Sequence, residues 1–368
     1  MEVPFADLKA HVAALRVEID AALARVLDSG WFVLGPEGRA FEEELAPALQ
    51  AREAVAVANG TEAIQLALEV HGVGAGDEVV TSPLTAAFTA LAILRAGARP
   101  VFADLDPATL NVYPEAVERA LTRRTRALLP VHLYGHPADL DPLLDIARRR
   151  QVPLIEDACQ AVGALYKGRP VGALGGTGAL SFYPTKNLGA FGDGGAVLVD
   201  DPERARRLRR LRNGGQSDRY RHEVAGLNSR LDEMQAAVLR VKLGHLDGWT
   251  QRRRALARRY HEGLAGTSLA RPEEQPYARA VYHLYVVRHR RRDALAAALR
   301  DKGVGTLVHY PIPLHLQPAF ASLGGRAGDF PVAEKAAAEI LSLPLFPEMT
   351  DAQVDTVVAA VREVAPGL

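Results

Sequence analysis

The sequence predicts an α/β fold. A large domain carries a mainly parallel sheet sandwiched by helices, and a smaller C-terminal α+β domain follows. Three observations predict this. From residue 54 to about 212, short apolar runs alternate with amphipathic stretches of helical length, the pattern of right-handed strand–helix–strand crossovers. After "PERARRLRRLRNGG" the alternation stops, and residues 232–262 read as one long helical stretch. At 368 residues the chain is long enough for two buried cores. The boundary is placed near 245, giving 1–245 and 246–368.

In order along the chain, residues 7–28 put Leu8, Val12, Leu15, Ile19, Leu23 and Val26 at helical spacing, so one helix is expected. "SGWFVLGPEG" breaks it, and "GRAFEEELAPALQ" restarts a helix. Strands then follow at "EAVAVANG", "DEVVTSP", "RPVFADLD", "RALLPVHLYG", "VPLIEDAC", "GALSFYPT" and "GGAVLVDD". Between the first five lie the helices "TEAIQLALEVHG", "AFTALAILRAG", "YPEAVERALT" and "DLDPLLDIARRRQ". Continuous apolar strands of this kind suit a sheet covered on both faces. Toward the C-terminus, "AVYHLYVVRH" reads as a strand, "RDALAAALRDKG" as a helix, "TLVHYPIPLH" as extended and "VAEKAAAEILSL" as a helix.

Composition narrows the function. The 44 basic and 44 acidic residues cancel, which argues against a nucleic-acid surface; "RRR" at 148–150 and "RHRRRD" at 288–293 read as solvated helix faces. One cysteine, Cys159, rules out an internal disulfide and suits a reducing compartment. The N-terminus lacks a signal-peptide pattern, and no run of 18 apolar residues occurs, so a cytoplasmic protein without a membrane span is expected. No metal is called for.

Four features bear on chemistry. In "VANGTEAIQLAL", a strand ends at Asn59-Gly60 and Thr61 opens a helix, with Glu62 in its first turn. The free N–H groups there can cradle a phosphate, or the junction is an ordinary one capped by Thr61. In "VPLIEDACQAVGA", an apolar strand ends in Glu156 and Asp157, followed by Gln160. Such an acid either faces the ligand crevice beyond the strand ends or caps the next turn. Lys186 sits in "SFYPTKNLGAFGDGG", with Ser181 and Tyr183 one strand step apart before it. It is a surface lysine, or a desolvated amine able to form a Schiff base. In "GLNSRLDEMQAAVLR", Asn228 precedes a helix that Asp232 would cap. Together these parts match what pyridoxal 5'-phosphate needs: a phosphate cradle, an acid for the ring nitrogen and a lysine for the aldehyde.

At this point "NGTEAIQLAL", "PVFADLDPATLNV", "HLYGHPADLDPLLDIA", "IEDACQAVGA", "SFYPTKNLGAFGDGGAV", "GLNSRLDEMQAA" and "LSLPLFPEMTDAQV" occur in order, from about residue 4 to 360. The chain resembles the DegT/StrS-type sugar aminotransferases. That resemblance implies the fold type I architecture of aspartate aminotransferase with a seven-stranded-type sheet. It implies Lys186 as the covalent anchor and proton carrier, Asp157 on the pyridine nitrogen and Gln160 on the phenolic oxygen. Gly60, Thr61 and Ser181 would hold the phosphate, with Asn228 reaching it from the neighbouring subunit of a homodimer. Many members carry a stacking aromatic where this sequence has Ala86; Phe88 either supplies that ring or belongs to the core.

"VHYPIPLHLQP" resembles the branch that aminates 3-keto nucleotide sugars, which makes His309, Tyr310 and His315, with Tyr183, candidate sugar contacts. The expected reaction moves an amino group from glutamate or glutamine to a nucleotide-linked 3-keto hexose. The alternatives are a 4-keto sugar aminotransferase, a pyridoxal-phosphate sugar dehydratase, in which histidine replaces the lysine, and a non-catalytic regulatory protein.

Overall fold

The computed structural model describes residues 1–368. The chain opens with α1 (Leu8–Ala14) and α2 (Arg16–Ser29), then α3 (Pro36–Ala48). The helix expected over 7–28 is therefore two helices, because Leu15 leaves helical geometry at φ −114°, ψ 8°. The sheet region runs β1 (Glu53–Val57), α4 (Gly60–Val70), β2 (Glu78–Thr81), α5 (Ala87–Arg95), β3 (Arg99–Phe102), α6 (Pro114–Ala120), β4 (Thr125–Leu129), α7 (Leu140–Arg150) and β5 (Leu154–Asp157). Two short strands, β6 (Leu165–Tyr166) and β7 (Arg169–Pro170), precede β8 (Gly176–Ser181), β9 (Gly195–Val199) and α8 (Pro202–Leu211).

The seven long strands form one sheet in the order β1-β9-β8-β5-β4-β2-β3. Every neighbouring pair is parallel except those made by β9, which runs antiparallel to both β8 and β1. Period-two alternation divides each strand between two cores. Leu128, Leu154, Leu180 and Leu198 point to the core that holds Phe41, Leu45 and Leu143. Their neighbours Leu129, Ile155, Ala179 and Val197 point to the core under α4, with Ile64, Leu68 and Ile93. Both faces are thus covered, which is why these strands read as unbroken apolar runs.

After the ribbon β10 (Gln216–Asp218) and β11 (Arg221–His222) come α9 (Glu233–Leu243) and α10 (Leu246–Gly263). The long helical stretch expected over 232–262 is broken at Gly244 and His245. The chain finishes with β12 (Ala278–Arg279), β13 (Tyr285–Arg288), α11 (Arg292–Asp301), α12 (Pro331–Glu339), β14 (Ile340–Leu343) and α13 (Asp351–Val364). "ILSL", expected as helix, is β14, paired antiparallel with β13 from Tyr285↔Leu343 to Arg288↔Ile340. A third core forms here from Leu256, Tyr260, Tyr285, Leu299, Leu343, Val357 and Val361, joined by Val3 from the N-terminus. No helix is long and apolar enough to cross a membrane.

Candidate active site

The site forms where β1, β5 and β8 reach their carboxyl ends, the edge at which open parallel sheets bind ligands. β5 ends in two acids that alternation sends to opposite faces. Glu156 is fully buried and accepts from Gly172 N at 2.7 Å, Gly175 N at 2.9 Å and His132 Nε2 at 3.0 Å. His132 Nδ1 accepts from Ala138 N, so Nε2 carries the proton that it donates to Glu156. Glu156 is thus fully occupied in tying loops together. Asp157 turns the other way into the cleft. It is 3% exposed, and it accepts from Thr89 Oγ1 at 2.8 Å and from Cys159 N at 3.2 Å.

The turn after β1 makes the cradle. Asn59 caps α4, its Oδ1 accepting from Glu62 N at 2.9 Å, so the cap is Asn59 rather than Thr61. The backbone N–H groups of Gly60 and Thr61 begin the helix and are left facing the cleft end, where the helix dipole favours an anion. Gly60 lies so close to β8 that a Cβ there would sit 2.7 Å from Ser181 Cβ and 3.1 Å from Cys159 Sγ. From the other side, a Cβ on Gly195 would meet the Asn59 carbonyl at 2.5 Å. Only glycine permits this approach of helix start to sheet.

Lys186 is carried by the connection between β8 and β9. Its backbone N donates to Tyr183 O at 2.8 Å, and Ala190 N donates to Phe182 O at 2.7 Å. A Cβ on Gly189 would meet Pro184 O at 2.4 Å, so the loop folds tightly on itself. Neighbouring elements grip it from outside. Asn187 Nδ2 donates to Val281 O at 3.1 Å, His283 Nδ1 bonds Asn187 Oδ1 at 3.2 Å, and Phe191 N donates to Gln235 Oε1 at 2.7 Å. Burial lowers the Lys186 ammonium pKa, while the Cys159 and Asp157 groups act in the opposite direction. Burial also holds the His283 imidazole well below its ordinary range, so it is neutral beside the lysine.

These groups line one cleft of about 680 Å³, together with Thr85, Ala86, Phe88, Gln160, Tyr183, His309 and Tyr310. A second lobe of about 510 Å³ shares Tyr183, Thr185, Lys186, His283 and His309, and is closed by the N-terminal residues Phe5, Asp7 and His11. Gln160 is fixed at both ends: Oε1 accepts from Tyr134 N at 2.7 Å, and Nε2 donates to Tyr310 Oη at 3.0 Å. His309 bonds Ser342 Oγ through Nδ1 at 2.9 Å, and burial lowers its pKa to about 4. Phe88 stands on the cleft wall, 61% exposed as a residue, two residues beyond Ala86.

One expected sugar contact is not brought to this cleft, and Asn228, expected to serve the neighbouring subunit, lies outside it. His315 is buried beside Phe330 and bonds Glu334 through Nε2 at 3.0 Å, so it braces the start of α12. Asn228 is exposed, bridges to the backbone of Asn213, and does not line its own chain's cleft. Two residues of the site, Thr89 and His283, escape a reading of the sequence alone, and Asn59 is read there as the strand end without its capping role. Thr89 left one signal, a polar residue in the first turn of a helix, "AFTALAILR", that is otherwise apolar up to its last residue, Arg95.

The residues fit pyridoxal 5'-phosphate. The Gly60 cradle, which any Cβ would fill, packs against the Ser181 side chain and stands at the start of α4, where the Gly60 and Thr61 N–H groups have no partner within the helix. A buried carboxylate and a desolvated amine lie on the walls of the same cleft.

The DegT/DnrJ/EryC1/StrS aminotransferase family is matched by residues 13–362. The chain is 51% identical over 362 residues to the dTDP-3-amino-3,4,6-trideoxy-alpha-D-glucose transaminase of Streptomyces venezuelae, covering 98% of this chain and 96% of that protein. It is 50% identical over 363 residues to the erythromycin biosynthesis sensory transduction protein EryC1 of Saccharopolyspora erythraea, covering 98% and 99%. Among solved structures, S. venezuelae DesV in complex with a ketimine intermediate superposes at a TM-score of 0.98 with 51% identity, covering 99% of this chain and 98% of that one. NtdA of Bacillus subtilis with bound cofactor PMP gives 0.92 with 32% identity, covering 99% and 85%.

Proposed function

The chain belongs to the DegT/DnrJ/EryC1/StrS aminotransferase family, and from that premise we propose that it transfers an amino group from an amino acid, glutamate or glutamine, to the 3-keto group of a nucleotide-linked hexose. It is a pyridoxal-phosphate-dependent aminotransferase of fold type I. The observation that carries the reading is Lys186, a desolvated amine in one cleft with the Asp157 carboxylate and the Gly60 cradle.

When bound, the cofactor supplies an aldehyde that exchanges amines and a ring that holds the electron pair of a substrate carbanion. Gly60 N, Thr61 N and the Ser181 hydroxyl would hold its phosphate. The Asp157 carboxylate, oriented by Thr89, would pair with the ring nitrogen and keep it protonated. Gln160 would offer its remaining Nε2 hydrogen to the phenolic oxygen. Lys186 Nζ would hold the cofactor through its aldehyde, and the same amine is the base that could take and return a proton at the substrate carbon. Its lowered pKa favours the neutral amine that both tasks need. His309 and Tyr310 give the sugar a polar wall, with Tyr183 and Phe88 toward the mouth.

The 3-position rests on the name of the S. venezuelae relative, a 3-amino sugar transaminase. Lysine at 186 favours transamination over dehydration. A regulatory role, which the name of the S. erythraea relative would suggest, sits poorly with a full set of candidate cofactor residues in the chain and a net charge of zero. The exposed Asn228 supports a shared site in a homodimer, each subunit completing its partner's phosphate pocket. On this reading residues 1–245 carry the cofactor and 246–368 form the smaller domain.

The test is a two-stage titration. Borohydride reduction and peptide mapping should tag Lys186; a tag on Lys167 or Lys242 refutes the anchor. Enzyme loaded from glutamate is then offered 3-keto and 4-keto nucleotide sugars separately. Faster return of the aldehyde form with the 3-keto sugar is expected. Preference for the 4-keto sugar overturns the position, and return only with simple keto acids overturns the substrate class.

A further inference from the structure

Lys242 lies in α9, outside the cleft-lining residues, and is 1% exposed. Its Nζ donates to the Gly189 carbonyl at 2.6 Å and lies 4.5 Å from the centroid of the Phe191 ring. Gly189 and Phe191 follow Lys186 by three and five residues on the same loop. We infer that Lys242 is a positioning residue for Lys186, its ammonium clamping the far limb of the lysine loop through the Gly189 carbonyl and the Phe191 face. The inference rests on the reading of Lys186 as the cofactor-bearing lysine.

The chemistry of the contact supports more than space-filling. An ammonium is costly to bury, and an apolar side chain of similar length would occupy the same volume without that cost. Burial lowers the Lys242 pKa to about 8, which shows how strongly the site resists the charge. What the charge gains there is a strong donor to a carbonyl and a ring face to rest on. The Gly189 carbonyl belongs to the tightest point of the loop, where Gly189 packs against Pro184. Gln235, two turns earlier on α9, holds the amide of Phe191 at 2.7 Å. Thus one helix grips the loop at two points, Gly189 and Phe191, distinct from the contacts made by Asn187. The amine of Lys186 must meet a small electrophile, where a displacement of about 1 Å can cost about 10²-fold in rate.

The test uses the full-length chain freed of cofactor, then given pyridoxal phosphate and quenched with borohydride at timed intervals. Lys242→Met, which removes the donor, should slow covalent capture on Lys186 at least tenfold, with unchanged circular dichroism. Lys242→Gln, which keeps an N–H for Gly189, should stay within about threefold of wild type. Capture by Lys242→Met at the wild-type rate overturns the inference, whereas failure of the wild type to be tagged at Lys186 overturns the underlying reading instead. If Lys242→Met does not fold, amide hydrogen exchange in Phe191→Leu, which removes the ring face from the half-exposed end of the contact and leaves Lys242 in place, decides. Faster exchange at 187–190 than in wild type is expected, and unchanged exchange there overturns the clamp.

Discussion

Thr89 Oγ1 donates to Asp157 Oδ2 at 2.8 Å, tying the first turn of α5 to the last residue of β5. The bond lets a helix outside the lysine loop set the direction of the carboxylate. Thr89→Val keeps the shape and removes the donor. A hydrogen bond to a charged group contributes roughly 1.5–3 kcal/mol, so kcat/KM at saturating cofactor should fall about tenfold or more. A change within twofold would mean that the Cys159 amide orients Asp157 unaided.

Gly60→Ala tests the cradle. The new methyl would sit 2.7 Å from Ser181 Cβ, so backbone must move away from β8. Overpacking of this kind costs about 1–3 kcal/mol. Most of that should appear as weaker cofactor retention, measured by titrating the cofactor-free protein with pyridoxal phosphate, because the displaced backbone carries the N–H groups proposed to hold the phosphate. Unaltered affinity would place the phosphate elsewhere.

Stability should fall in mild acid for a definable reason. Burial lowers both His71 and His309 from 6.5 to about 4. Between pH 4 and 6.5 the unfolded chain therefore binds protons that the folded chain does not, and stability rises with pH across that window. His71 contributes up to about 3 kcal/mol, fully present above pH 6.5 and lost as pH falls toward 4. His71→Gln can retain the 2.9 Å contact with Thr177 Oγ1 without a titrating ring. Its Tm should depend less on pH than the wild type's, and parallel curves would rule His71 out as a source.

Mixing Lys186→Ala subunits with Asn228→Ala subunits tests the shared site. Each homodimer should be impaired. In exchanged heterodimers the intact Lys186 meets the partner's intact Asn228, so about one site in four should recover. No recovery after demonstrated exchange would show that each site is built from one chain.

Much of this architecture is legible in the sequence, for physical reasons. Strands buried on both faces leave unbroken apolar runs, and their carboxyl ends mark the ligand edge, which is how Asp157 and the Gly60 turn stand out. Strand direction is different: "GGAVLVDD" reads the same whether parallel or antiparallel, so the reversal of β9 is visible only in the register Ser181↔Gly195. "ILSL" follows an alanine-rich helix without a break and was absorbed into it, though pairing with β13 makes it a strand. The resemblance carried by "VHYPIPLHLQP" covers His315 together with His309 and Tyr310 and does not separate them. The burial of His315 against Glu334 depends on α12, which lies later in the chain.

The reversal of β9 has a consequence for how the enzyme is made. Because β8 and β9 are adjacent and antiparallel, the chain carrying Lys186 closes over a short span, whereas Gly60 must find Ser181, and Thr89 must find Asp157, across far longer ones. Closure cost grows with span, so local pairs form first. During refolding the amine should therefore be in place before the cradle and the oriented acid arrive, and the site becomes competent only at the end. Pyridoxal phosphate added to a refolding mixture is expected to raise the final yield by trapping finished molecules, while leaving the first kinetic phase unchanged.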